Sequence, residues 1–166
     1  MKAIVYLSLG SNMGDRFKNL TKAVERIDKM TSSKVTAVSP IYETDPIGVK
    51  DHPSYLNNAV RLQTDLTPED FHKECNNIEL EMGRTSKGDK NPRPIDIDIL
   101  LFDNLTIDVE DLTIPHRKMK KRAFVLKPLL DINPKLCCPI THQNYREIFL
   151  EKLGQQKIEI YLKGKH

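Results

Sequence analysis

Stretches with strand-like and helix-like apolar spacing follow one another as strand, helix, strand, strand, helix, strand, and this order limits the possible folds more than any other feature. "MKAIVYLSLG" (1–10) reads as a buried first strand. Gly10 to Gly14 read as a turn, after which Asp15 is placed to cap a helix carrying Phe17, Leu20, Val24 and Ile27 on one stripe. "KVTAVSPIY" (34–42) alternates as a strand, with Pro40 signalling an edge or a bulge. The loop "ETDPIGVKDHPS" leads to another strand, "YLNNAVRLQT" (55–64). Thr67, Pro68 and Glu69 open a second helix that runs to about Met82, with Phe71, Cys75, Ile78 and Met82 on its stripe.

The strand that closes the series lies within "NPRPIDIDILLF" (91–102). The resulting β-α-β-β-α-β order predicts an α+β fold of the ferredoxin-like, split βαβ type, an antiparallel sheet with both helices on one face. Residues 104–166 read as a C-terminal appendage: a hairpin near 105–109, helices around 124–130 and 144–153, and a closing strand at 157–162. No repeat or linker divides the chain, so 1–166 reads as a single domain.

The last strand carries a chemical anomaly. Side chains alternate faces, so Asp96 and Asp98 share one face about 6.6 Å apart, opposite Ile95, Ile97 and Ile99. Two carboxylates at that spacing repel by about 2–3 kcal/mol at an effective dielectric of about 20, and Asp is a poor strand former. A half-exposed strand with a solvent-facing Asp-x-Asp accounts for the pair, and so does a metal site. A divalent cation turns the repulsion into chelation, and Mg²⁺ favours one or two carboxylates completed by water and substrate phosphates.

The flanking residues weigh toward phosphate chemistry. "GRTSKGDKNPRP" (83–94) has no large apolar side chain and offers Gly83, Gly88, two lysines and two arginines directly before the aspartates. Pro94 restricts Arg93 to an extended conformation, which aims its guanidinium from a stiffened stem beside Asp96. A cationic lid beside a chelating pair suits phosphoryl-type transfer. The P-loop pattern is absent from both "GSNMGD" and "TSKGDK". "GSNMG" fits an anion cradle at a helix N-terminus or ordinary turn and cap chemistry. "HRKMKKRAFVLKPL" (116–129) starts strongly basic: a solvated surface, a nucleic-acid patch, or a place from which His116 and Arg122 reach a nucleotide. Tyr55 and Asn57 share a strand face, an aromatic plate beside an amide, as a flat heterocycle requires and as a core also provides.

Charge and cysteine content narrow the class. The net charge of +3, with 39% hydrophobic and 30% charged residues, suits a soluble globular chain and argues against a general nucleic-acid coat. The cysteines, Cys75, Cys137 and Cys138, are odd in number and lack a C-x-x-C, so neither a disulfide framework nor a zinc site is expected, and a cytoplasmic location fits. The N-terminal apolar run lacks a small-residue cleavage site, and no stretch approaches the 18 or so apolar residues of a membrane span.

Taken together, "LSLGSNMGD", "SPIYETDPIG", "YLNNAV", "IELEMGR", "PRPIDIDILLF", "LTIPH" and "MKKRAFVLKPLLDI" resemble the 6-hydroxymethyl-7,8-dihydropterin pyrophosphokinase family, in the family's order and over roughly residues 4–135. The resemblance implies transfer of the β,γ-diphosphoryl unit of ATP to the pterin hydroxymethyl oxygen, with release of AMP, in folate synthesis. It implies that Asp96 and Asp98 hold two Mg²⁺ ions and that Arg84 and Arg93 are the cationic groups of the lid. Asn76, Glu79, Ile99, Thr113, His116 and Arg122 fall where the family binds ATP. Thr44, Asp45, Ile47, Tyr55 and Asn57 fall where it binds pterin, with Phe124 as a second aromatic plate opposite Tyr55. Expected partners are therefore ATP and the pterin, with no nucleic acid or membrane, and the chain is expected to be a monomer.

This sequence departs from the family pattern in three places. Lys90 and Asn91 precede Pro92 where many members carry Trp and Gly, Asp45 stands where Pro is familiar, and the tail after about residue 136 matches weakly. Two rival readings share the strand order: an Mg²⁺-dependent nucleotidyltransferase and an RNA-binding module of RRM type, whose aromatic signature is missing.

Overall fold

The computed structural model describes residues 2–44, 54–83, 93–152, 156 and 158–161. Its main sheet is built around β1 (Ala3–Ser11), which pairs with β4 (Tyr55–Thr64) on one side and β5 (Asp96–Phe102) on the other. The outer edge of β4 is shared by β2 (Ser33–Val38) and β3 (Tyr42–Thr44), and β8 (Glu159–Ile160) adds to β3. The order is β5-β1-β4-β3-β8, with every pairing antiparallel. A separate hairpin joins β6 (Ile107–Val109) to β7 (Leu112–Ile114), slightly beyond the span the sequence suggested.

Both expected helices form, and for the expected reasons. Asp15 Oδ1 accepts the Lys18 N–H at 3.1 Å to start α1 (Arg16–Asp28). Thr67 Oγ1 accepts the Asp70 N–H at 3.2 Å to start α2 (Pro68–Glu81), with Pro68 in the first turn where its missing N–H costs nothing. Leu20, Ala23 and Ile27 of α1 and Phe71, Cys75 and Ile78 of α2 pack with Val5, Leu7 and Leu9 of β1 in one core. Each fully buried Leu or Phe there contributes about 1.5–3 kcal/mol of transfer free energy.

Three local expectations are corrected. Gly10 belongs to β1 rather than to a turn, because it pairs with Asn57 on one side and Asp96 on the other. The strand expected over 34–42 is broken: Ser39 satisfies both polar groups of Ala59, donating to its carbonyl at 2.9 Å and accepting its N–H on Oγ at 2.8 Å. Pro40, without an N–H, follows outside either strand. Nor is the C-terminal third a loose appendage. α3 (Ala123–Ile132) and α4 (Tyr145–Lys152) cover the opposite face, where Val125, Leu126, Leu129, Tyr145 and Ile148 join Tyr6, Leu100 and Leu101 in a second core. The sheet is thus sandwiched between two helical layers.

Strand β5 serves both cores through a bulge. Tyr6 pairs with Leu101 but Leu7 pairs with Ile99, so Leu100 is an extra residue. Leu100 and Leu101 both enter the second core, while Phe102 returns to the first. This explains why the Ile-x-Ile-x-Ile alternation gives way to Leu-Leu-Phe. Among the described residues no helix is long and apolar enough to cross a membrane.

A polar contact also fastens α3 to the sheet. Tyr42 donates a hydrogen bond to Asp131 Oδ2, and Lys127 Nζ lies 2.9 Å from the other carboxylate oxygen. Burial and the neighbouring carboxylate push the Tyr42 phenol up, so it stays a neutral donor. Replacing Tyr42 by Phe should lower the unfolding free energy by about 1.5–3 kcal/mol, the range for a hydrogen bond to a charged group. A urea titration measures it, and an unchanged midpoint would assign the contact no net role.

Candidate active site

Residues directly opposite one another in antiparallel strands share a face. Gly10 lies opposite Asp96 and Asn57, and Asn57 lies opposite Tyr42, so Asp96, Gly10, Asn57 and Tyr42 form one row across the sheet. Asp98, Ser8 and Ala59 form the next row, and Tyr55 with Thr44 a third. All three rows face the α3 side, since Val5, Leu7 and Leu9 turn the other way. Asp96 and Asp98 therefore do share a face, as their spacing implied, and it is also the face of Tyr55 and Asn57. Two inter-strand spacings, about 10 Å, separate Asp96 from Asn57.

Gly10, without a side chain, leaves the space over the middle of that row to the Asn57 amide and the Tyr55 ring. A Cβ there would lie 2.9 Å from Asn57 Oδ1 and 3.6 Å from the Tyr55 ring. Asn57 is itself fixed, because its Nδ2 donates to Thr44 Oγ1 at 3.2 Å and both residues are buried. Its Oδ1 accepts no hydrogen bond from the described residues.

Arg93 and His116 face the aspartates. Arg93 Nη1 lies 3.7 Å from Asp96 Oδ2, and His116 Nε2 lies 3.9 Å from Asp98 Oδ1. Lys118 N–H donates to His116 Nδ1 at 3.2 Å, which leaves the proton of a neutral imidazole on Nε2, facing Asp98. Glu79, only 2% exposed, accepts the Ile97 N–H at 2.8 Å and so holds the residue between the two aspartates from the open edge of β5. Among the described residues no group of three or more His, Cys, Asp or Glu could hold a metal. Two carboxylates on one face fit Mg²⁺, which completes its shell with water and phosphate oxygens.

The other sequence-predicted residues are placed unevenly. Asn76 lies on α2, three residues before Glu79, with a buried Oδ1 that meets no hydrogen-bond donor among the described residues. Ile99 sends its side chain into the α1–α2 core, so only its main chain faces the site edge. Thr113 lies on the hairpin, its hydroxyl 3.5 Å from Asp108 Oδ1 and 3.3 Å from Arg117 Nη2. Arg122 sits at the start of α3, its guanidinium 5.7 Å from the centre of the half-buried Phe124 ring. Arg84, Asp45 and Ile47 lie outside the described residues.

Two devices escaped the sequence reading. Asn12, fully buried, accepts the Arg93 N–H on Oδ1 at 2.7 Å and donates its own N–H to the Arg93 carbonyl at 3.2 Å. "GSNMG" therefore clamps the residue beside Asp96 as well as making the turn. Arg16 Nη1 binds Glu43 Oε2 at 2.9 Å and the Ser54 carbonyl and hydroxyl at 3.0 and 2.8 Å, joining the two flanks of the 45–53 segment. Neither had a sequence signal, since each joins residues far apart in the chain. Asn12→Ala should expose the Arg93 amide and speed its hydrogen exchange by roughly tenfold or more, the equivalent of one net hydrogen bond. Exchange at the wild-type rate would dismiss the clamp.

Comparison with known proteins places this geometry in a family. The family model for 7,8-dihydro-6-hydroxymethylpterin-pyrophosphokinase (HPPK) matches residues 6–134. The folic acid synthesis protein fol1 of Schizosaccharomyces pombe is 44% identical over 158 residues, 95% of this chain and 21% of its own length. The chain thus spans about a fifth of that relative. The 2-amino-4-hydroxy-6-hydroxymethyldihydropteridine pyrophosphokinase of Bacillus subtilis is 45% identical over 132 residues, covering 80% of this chain and 79% of that one. A crystal structure of Plasmodium falciparum HPPK-DHPS, wild type with pteroate, shares the fold at a TM-score of 0.75 and 15% identity, over 93% of this chain and 45% of that one. With a match across most of its length, the chain belongs to the HPPK family.

Proposed function

We propose that this chain transfers the β,γ-diphosphoryl group of ATP to the hydroxymethyl oxygen of 6-hydroxymethyl-7,8-dihydropterin, releasing AMP, as a step in folate synthesis. The observation that supports the reading is the single sheet row in which Asp96 and Asn57 flank Gly10. On this reading a phosphate-bound metal takes the Asp96 end of the row and a flat heterocycle the Asn57 end. Family membership names the chemistry that such a pairing serves.

In this reading the pterin edge lies against the Asn57 amide, whose Oδ1 accepts from a ring N–H, with Thr44, Asp45 and Ile47 as further pterin-binding residues. The ring lies between Tyr55 and Phe124. The hydroxymethyl end points along the row toward Asp96. Asp96 and Asp98 would hold two Mg²⁺ ions, which would supply charge neutralisation and Lewis acidity at the ATP phosphates. Arg93, fixed by Asn12, keeps a guanidinium where negative charge builds during transfer, and Arg84 is its counterpart in the lid. Asn76 and the main chain of Ile99 contact the nucleotide, with His116 and Arg122 on its phosphates and Thr113 further out. Glu79 acts through β5, holding Ile97 so that its two neighbours keep their positions.

The strand order supports the ferredoxin-like assignment for residues 3–102, within one domain. A monomer in the cytoplasm, with ATP and the pterin as its ligands and no nucleic-acid or membrane partner, completes the reading.

Product analysis tests it. With Mg²⁺, ATP and 6-hydroxymethyl-7,8-dihydropterin, AMP and pterin diphosphate should form in equal amounts, and neither without pterin or after chelation. ADP as the first product would indicate attack on the γ-phosphorus, and pyrophosphate would indicate a nucleotidyltransferase; either overturns the proposal. Asp96→Ala should abolish turnover with the fold intact, and near-normal turnover at saturating Mg²⁺ would return the aspartates to a solvent-facing strand.

A further inference from the structure

The C-terminal segment lies beyond the 6–134 span of the family match, yet it touches both walls of the site. Helix α3 begins after Arg122, whose side chain makes no capping bond to the helix start. An arginine has no acceptor with which to make one. The cap comes instead from Gln156, 33 residues beyond Ala123: its Oε1 accepts the Ala123 N–H at 2.8 Å, and its Nε2 donates to the Lys121 carbonyl at 2.9 Å. One amide therefore brackets Arg122 from both sides and fixes the turn that leads into Phe124. A few residues later the chain reaches the other wall. Glu159 and Ile160 pair with Glu43 and Tyr42 of β3, and Tyr161 N–H donates to the Ile41 carbonyl at 2.8 Å. The Tyr161 ring also stacks against Phe17 of α1, with centroids 6.2 Å apart. Strand β3 ends at Thr44, which holds the Asn57 amide.

We infer that Gln156 is a positioning residue for the ligand site: its side-chain amide, carried on a strap anchored to β3, sets the Arg122–Phe124 turn against the Thr44–Asn57 wall. The inference rests on the proposed role of Phe124 as a pterin plate. An unbracketed turn has more conformations to lose on binding, so the effect falls on ligand affinity rather than on the reacting groups. Gln156 bonds the turn before α3 rather than β5, and kcat at saturation should stay near the wild-type value.

A double-mutant cycle tests this, with pterin affinity measured by calorimetry in the presence of Mg²⁺ and a non-hydrolysable ATP analogue. Gln156→Ala should weaken pterin binding about tenfold, the scale of one net hydrogen bond, with a melting temperature close to that of the wild type. Phe124→Ala should weaken binding by itself, and adding Gln156→Ala to it should weaken binding no further. Wild-type affinity in Gln156→Ala, or additive losses in the double variant, would overturn the inference and leave the reading of Phe124 intact. Undiminished affinity in Phe124→Ala alone would overturn the plate assignment, and this inference with it. If Gln156→Ala melts early, Gln156→Glu keeps the acceptor for Ala123 N–H, loses the donor to Lys121, and takes its place in the cycle under the same criteria.

Discussion

The register of β1 between its two neighbours is the constraint on which the rest depends. A slip of one residue would turn every β1 side chain to the other face. Val5, Leu7 and Leu9, all fully buried against α1 and α2, make that slip costly. The same alternation places Tyr6, Ser8 and Gly10 on the α3 face, between the aspartates of β5 and the aromatic and amide groups of β4. Hydrophobic burial on one side of the sheet thereby fixes the geometry of the polar rows on the other.

Those rows carry groups that a strand ordinarily avoids, and their supports come from distant parts of the chain. Two aspartates two residues apart repel, and at 23% side-chain exposure each is only partly screened by water. Arg93 and His116 face them with compensating charge or a donated N–H. Arg93 is held by Asn12 from the end of β1, and Ile97 is held by Glu79 from α2. These contacts hold backbone groups of Arg93 and Ile97, so they fix where the strand lies. Rigid first partners on strands, with supporting bonds behind them, are what a precise site requires.

Much of this was legible in the sequence because it is written in local patterns. The Phe71, Cys75, Ile78 stripe, the Asp15 and Thr67 caps and the shared face of Asp96 and Asp98 follow from periods of 3.6 and 2 alone. The bulge at Leu100, the break at Ser39 and the place of Gly10 inside β1 do not, since each depends on which residue a neighbouring strand sets opposite. The covering of the second face by α3 and α4 was hidden for a similar reason. An amphipathic helix shows that it must be buried, and not against what. The Asn12–Arg93 clamp spans 81 residues and left no sequence trace. Ile99 and Thr113 entered through family resemblance, and the structure places one side chain in the core and the other on the hairpin.

The central claim is that a residue without a side chain at position 10 lets the Asn57 amide and Tyr55 ring of a proposed heterocycle site sit in one sheet row with a proposed metal–phosphate site at Asp96 and Asp98. Gly10→Ala tests it most directly, because the added Cβ meets Asn57 Oδ1 at 2.9 Å and leaves β5 untouched. Calorimetric titration of this variant with the Mg²⁺ complex of a non-hydrolysable ATP analogue should return the wild-type affinity. Titration of the ternary complex with the pterin should show a loss of about tenfold or more, as expected when a buried amide is pushed off its ligand. Equal weakening for both ligands, or none for the pterin, would contradict the account.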